Sequence, residues 1–233
     1  MDTLFGHHYE LFPFKLFSIS HLLMLGVFVG VSAFLAIYRT KLAKYELGLR
    51  IFLCSGLFVL ESLYHYWLYK DGYWDISFAL TLQLCSISLL LCLLLLLTNS
   101  KLLFQIVYFL GIAGASQALI TPELFFGFPH FRFFQFFITH ILIIWVALFY
   151  VFVKGYKITR KGMWQAFGFL NIAAFTAFFV NRLTGGNYMF LSQKPSNPSL
   201  LDYLGPYPFY ILVLEGIALV LFIILYLPWK KRS

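Results

Sequence analysis

Leu82-Gln83-Leu84-Cys85-Ser86-Ile87-Ser88 opens a run that continues almost without interruption as Leu and Cys to Leu97. Taken back to Asp75, residues 75–97 are long enough to cross a hydrocarbon core of about 30 Å at about 1.5 Å per helical residue. Six further runs of the same kind flank it, at about 16–38, 47–69, 102–120, 133–153, 163–183 and 207–227. The chain is 61% hydrophobic and 11% charged, with a mean hydropathy of +0.85. A soluble domain carries about 25% charged residues to cover its surface, so that class is excluded. The expectation is an all-α polytopic membrane protein of seven transmembrane helices, forming a single integral membrane domain over residues 1–233.

The net charge of +8 and pI of about 9.4 would suggest nucleic acid in a soluble protein. Here the positions of the charges explain them. Arg39, Lys41, Lys44, Arg50, Lys101, Lys154, Lys157, Arg160, Lys161, Lys230, Lys231 and Arg232 follow odd-numbered spans, 12 of the 17 basic residues. Only Lys15, Lys70, Arg132, Arg182 and Lys194 fall on the other side. By the positive-inside rule this places the N-terminus outside and the C-terminus in the cytoplasm. A multi-pass plasma-membrane protein with no nucleic-acid partner is the expectation. Met1-Asp2-Thr3 lacks a basic n-region, so the first run reads as an anchor and not as a removed signal peptide. No internal repeat supports a duplicated transporter.

Depth then follows from position. Glu61, His65, Gln83, Cys85, Gln117, Thr139, His140, Asn181, Arg182 and Glu215 all fall in the outer halves of their spans, with Asn171 the main polar residue of an inner half. Ionisable residues at membrane depth face a bundle interior or a wet cavity and mark function. A layer of them predicts a cavity open towards the outside or the outer leaflet.

Within that layer Cys85 and His140 have the parts of a covalent acyl-transfer site. The imidazole takes the thiol proton, and the thiolate attacks an ester carbonyl to give a thioester. Cysteine is also among the residue types that most often simply pack, and Cys54 and Cys92 read that way. Glu61 and His65, four apart on one helical face, can pair. They would orient a base, relay protons, share a metal, or only fix helix packing. His21, His65 and His140 with Glu61 or Glu215 lack metalloenzyme spacing, and the three cysteines lack a zinc or disulfide framework. No metal or cofactor is expected. Arg132, beside Pro129 and His130, would grip a lipid phosphate or snorkel to the interface, and Asn181 with Arg182 has the same two readings. Gln83, Thr139 and Asn181 are candidate oxyanion donors. The Gly185-Gly186-Asn187 turn and the loop to Pro206 read as a lid or as a plain connector. Span seven holds no lysine for a retinal Schiff base.

Leu82-Gln83-Leu84-Cys85-Ser86, Gly127-Phe128-Pro129-His130-Phe131-Arg132-Phe133-Phe134-Gln135, Thr184-Gly185-Gly186-Asn187-Tyr188-Met189-Phe190 and Leu201-Asp202-Tyr203-Leu204-Gly205-Pro206 together resemble the YwaF family of bacterial integral membrane proteins. That family is similar to a eukaryotic transmembrane acyltransferase of ether phospholipids that uses a membrane-embedded cysteine and histidine. More remotely it resembles the androgen-induced type of lipid hydrolase, which has a threonine at the nucleophile position. The resemblance implies Cys85 as nucleophile and His140 as base, and transfers no other residue. The expected function is a lipid acyltransferase or transacylase with membrane phospholipids as donor or acceptor. The alternative is a non-enzymatic lipid or small-molecule binding, sensing or transport protein. Oligomeric state stays open.

Overall fold

The computed structural model describes residues 4–196 and 200–230; Met1-Asp2-Thr3, Pro198, Lys231 and Arg232 lie outside the described residues. Seven long helices follow in order: α1 (Ile19–Ile37), α2 (Glu46–Lys70), α3 (Leu84–Thr98), α4 (Lys101–Ile120), α5 (Phe131–Phe152), α6 (Arg160–Thr184) and α7 (Phe209–Tyr226). Polar side chains set several starts by accepting a first-turn N–H, as N-cap residues do. Ser18 accepts from His21, Ser100 from Leu103, His130 from Arg132 and Thr159 from Gly162. Asn99, in the left-handed region at φ 54°, turns the chain from α3 into α4.

Among the described residues six helical stretches are long and apolar enough to cross a membrane, which makes the chain a multi-pass membrane protein. The seventh, α3, is shorter, and here the expected span from residue 75 is corrected. Asp75–Gln83 is not helical, and the helix begins only at Leu84. Non-helical backbone at such depth needs partners inside the protein, and it has them. The Asp75 carboxylate accepts from Ser77 N at 2.8 Å. Tyr188, wholly buried, accepts from Leu80 N at 2.9 Å and donates to Ile76 O at 2.6 Å.

Buried along most of its length, α5 is the central post and touches α1, α2, α3 and α4. On its far side α6 and α7 pack against α4 and against each other. The core is Leu, Ile, Val and Phe from α3, α4 and α5, while α1, α2, α6 and α7 turn broad apolar faces outward. His21 is fully buried and ties α1 to the end of α4, accepting from Phe17 N and donating to Leu119 O at 2.8 Å. One end of the bundle is basic, where Lys154 meets Glu46 at 2.6 Å and Arg50 donates to Leu96 O. The other is aromatic. There residues 4–14 lie across the mouth, with Phe5 O accepting from Trp67 and Gly6 O from His130.

Candidate functional site

A small cavity of about 50 Å³ opens between α2, α3 and α5, lined by Glu61, Tyr64, Cys85, Ser86, Leu89, Arg132, Gln135, Phe136, Thr139 and His140. Four residues singled out by depth, Glu61, Cys85, Thr139 and His140, thus share one space with Arg132, singled out as a phosphate grip. Tyr64, Ser86, Gln135 and Phe136 join them without having been singled out. A helical signal for most of these existed, since Arg132, Gln135, Phe136, Thr139 and His140 repeat at three and four along α5, and Tyr64 lies one turn from Glu61.

His140 donates from Nδ1 to the carbonyl of Phe136 at 2.7 Å. A carbonyl only accepts, so the proton sits on Nδ1 and the Nε2 lone pair remains available as a base. Among the described residues Nε2 has no hydrogen-bond partner, and no sealed side-chain nitrogen or oxygen is left without one. It therefore faces the cavity.

Cys85 is the second residue of α3, so the late start of that helix matters chemically. The backbone N–H groups of Leu84, Cys85 and Ser86 precede the first intrahelical bond, Ile87 N to Gln83 O, and take no other partner among the described residues. Such first-turn donors carry the positive end of the helix dipole and suit an anion. The anticipated side-chain donors fare differently. Gln83 lies just outside the helix and spends its carbonyl on Met189 N at 2.9 Å. Asn181 is buried and pairs in both directions with the Tyr188 backbone, at 2.7 and 3.0 Å. Thr139 stays at the cavity and accepts from Gln135 at 3.4 Å.

Arg132 lies over the Tyr64 ring at 4.4 Å from Cζ and donates to Gln135 Oε1. It makes no ion pair with a carboxylate among the described residues. Glu61 instead pairs with His65 at 3.5 Å, and Trp74 donates to His65 Nδ1 at 3.3 Å. A chain of polar groups thus leads from the aromatic end through Trp74 and His65 to the carboxylate in the cavity.

The structure leaves six candidates outside this space: Gln83, His65 and Asn181, whose partners are given above, and Gln117, Arg182 and Glu215. Gln117 is exposed and donates to Thr121 Oγ1 at 2.5 Å. Arg182 is exposed, 5.3 Å over the Phe178 ring. Glu215 accepts from Asn171 at 2.7 Å on the opposite side of the bundle. That bond puts Asn171 and Glu215 at one level, which corrects their assignment to opposite halves of the membrane.

The glycine-rich turn braces the site and does not cover it. Gly185 ends α6 at φ 70°, and Gly186 lies so close to Ser77 that a Cβ would stand 2.3 Å from its carbonyl oxygen. The turn delivers Tyr188 to Ile76 and Leu80 and Met189 to Gln83, so it fixes where α3 begins. Among the described residues no three His, Cys, Asp or Glu side chains converge as a metal site.

Residues 16–226 match the TMEM164 family, and the chain belongs to it. An uncharacterised protein of Treponema pallidum (strain Nichols) is 30% identical over 155 residues, covering 66% of this chain. The chain spans about 63% of the length of that relative. No solved structure matches.

Proposed function

We propose that this member of the TMEM164 family is a membrane-embedded acyltransferase or transacylase acting on membrane lipids. The observation that carries the reading is the cavity shared by a cysteine in the first turn of α3 and a histidine whose Nδ1 is committed to Phe136. The YwaF resemblance, with its Cys and His, supports the same assignment.

In the reaction, His140 Nε2 takes the Cys85 proton and the thiolate sulfur attacks the carbonyl carbon of a lipid ester. The first-turn N–H groups of α3 receive the oxyanion. Collapse expels the lysolipid alkoxide, which takes the proton back from Nε2, and leaves a thioester on Cys85. An acceptor hydroxyl then gives its proton to Nε2 and attacks the thioester, and the released thiolate is reprotonated by His140. Arg132, with no carboxylate partner, anchors the lipid phosphate. The cavity has room for a few waters at about 10–15 Å³ each. Only the ester group enters it, and the acyl chains remain in the bilayer. The basic end of the bundle faces the cytoplasm, in the plasma membrane, so the cavity draws on the outer leaflet.

A guanidinium with no carboxylate partner among the described residues supports a second reading, a lipid or small-molecule binding protein that performs no chemistry. Intact-protein mass spectrometry after incubation with membrane lipid extract separates the two. The enzyme gains a fatty-acyl mass that neutral hydroxylamine removes, and Cys85→Ala does not, while Cys54 and Cys92 stay unlabelled. If no adduct forms and lipid turnover is the same in Cys85→Ala and His140→Ala, catalysis is ruled out. Binding that survives Cys85→Ser and fails in Arg132→Ala then identifies the carrier.

A further inference from the structure

Along α5, Arg132, Gln135 and Thr139 are spaced by three and four residues and so share one face, the face that lines the cavity. The Arg132 guanidinium lies over two rings, 4.4 Å from the centroid of Tyr64 and 5.6 Å from that of Phe136. It donates to Gln135 Oε1, and Gln135 Nε2 donates to Thr139 Oγ1 at 3.4 Å. The direction of this chain is fixed at its charged end. Arginine only donates, so the Gln135 oxygen must face Arg132 and the amide N–H groups must face Thr139.

Thr139 Oγ1 is therefore an acceptor in this chain, and its own hydrogen is left to donate elsewhere. A hydroxyl in a helix ordinarily turns back to the carbonyl four residues earlier. Ser88, Thr98, Thr176 and Thr184 all do so, at 2.7–2.9 Å. Among the described residues Thr139 makes no such bond and donates to no other group. The residue is buried, and the space open to its hydroxyl is the cavity that it lines. A buried donor is ordinarily paired, so this one calls for an acceptor on whatever enters. The charge of Arg132 strengthens that donor, since each bond in a chain polarises the next.

We infer that Gln135 is a positioning residue: anchored by Arg132, it turns the Thr139 hydroxyl so that its hydrogen is donated to the carbonyl oxygen of an ester seated in the cavity. The partner is the ester and not the headgroup, because His140, next in the chain, presents its base to the same space. The phosphate is left to the other N–H groups of Arg132, which has five. Thr139 thus supplies the side-chain donor that Gln83 and Asn181, spent on Met189 and Tyr188, do not. The bond rests on the ester binding of the acyl-transfer reading, and it does not depend on any reaction at Cys85.

Infrared spectroscopy of full-length Cys85→Ala, which cannot form the thioester, reads the bond directly. The probe is a diacyl phosphatidylglycerol in an ester-free detergent, and ¹³C against ¹²C at its ester carbonyls separates the lipid band from the protein. A carbonyl component at lower frequency than that of the lipid in detergent alone is expected. Adding Thr139→Val, which keeps the shape and removes the hydroxyl, should shift it back upward, and adding Thr139→Ser should not. Adding Gln135→Leu should also shift it back with Thr139 intact, because the hydroxyl is then free to turn to the carbonyl of residue 135. The absence of a low-frequency component overturns the inference, and so does one that ignores Thr139→Val or Gln135→Leu. Thioester formation on wild type judges the acyl-transfer reading separately. A responsive carbonyl band without a thioester removes the chemistry and keeps the bond, and a thioester without that band does the reverse. Unfolding temperature in detergent checks that Thr139→Val is folded, and if it is not, Gln135→Leu against Thr139→Ser decides alone.

Discussion

Tyr188 and Leu80, 108 residues apart in the chain, are joined by a 2.9 Å hydrogen bond from the Leu80 N–H to the tyrosine hydroxyl. The same hydroxyl donates to Ile76 O. Tyr188→Phe keeps the ring and leaves both backbone groups without a partner. An unmet polar group costs about 1–3 kcal/mol. A lower unfolding temperature in detergent is expected, together with faster alkylation of Cys85 by a membrane-permeant maleimide. An unchanged labelling rate would show that Tyr188 does not hold the start of α3.

Gly186→Ala tests the same brace from the other side. A Cβ there would stand 2.3 Å from the Ser77 carbonyl oxygen, and the contact is with backbone, which cannot swing away. Overpacking of this kind costs about 1–3 kcal/mol. Thermal unfolding of the variant should show a loss of that order, whereas Gly168→Ala, with open space around it, should not.

Arg132→Gln keeps a polar side chain and removes the cation. If the guanidinium holds a lipid phosphate, a charged hydrogen bond of about 1.5–3 kcal/mol is lost, roughly tenfold or more in apparent affinity. The expected kinetic signature is a raised KM for lipid with the thioester still forming at saturation. A fall in kcat at constant KM would contradict the anchoring role.

Acid should loosen the segment across the aromatic end. His7 is stacked between Trp67 at 4.0 Å and Tyr73 at 3.9 Å. Burial lowers its pKa, against the opposing pull of Asp71, with His8 adding to the lowering. Burial also lowers His130, against its hydrogen bond to Gly6, with His7 and Arg132 adding. Both rings bind fewer protons when docked than when free, so docking is favoured at neutral pH and weakens as pH falls through the ordinary histidine value of about 6.5. Protection factors of the amides of residues 4–14, exchange rates corrected for the base-catalysed intrinsic rate, should fall between pH 7.5 and 5.5, a window set by that value. His7→Phe should flatten the response; the opposite slope would exclude the two histidines as its source.

How much of this was legible in the sequence depended on which signal each feature uses. Helices such as α5 and α6 declare themselves by length and apolarity, and their ends by Pro, Gly and basic residues. The start of α3 did not, because Ile76, Phe78, Ala79 and Leu80 are as apolar as a helix requires while the partner that holds them out of a helix is Tyr188. Depth brought Cys85, His140, Glu61 and Thr139 to one layer, but depth is silent on which face a side chain takes. Gln117 points away from the cavity, and Asn181 points inward only to pair with the Tyr188 backbone. Glu215 belongs to a different side of the bundle altogether. The first-turn N–H groups at Cys85 have no residue signature at all, since every non-proline residue carries one.

The order of synthesis follows from that long-range brace. When the third hydrophobic run leaves the ribosome, nothing yet made can satisfy Ile76, Leu80 or the Gln83 side chain. Their partners arrive only with Tyr188 and Met189, after three more helices have been delivered to the bilayer. Until then the lead-in to α3 must find other company, in the insertion machinery or at the headgroup level. The wall that carries Cys85 is therefore among the last parts of the molecule to become itself, and a nascent chain halted before the Gly185-Gly186 turn would be a helical bundle with no site.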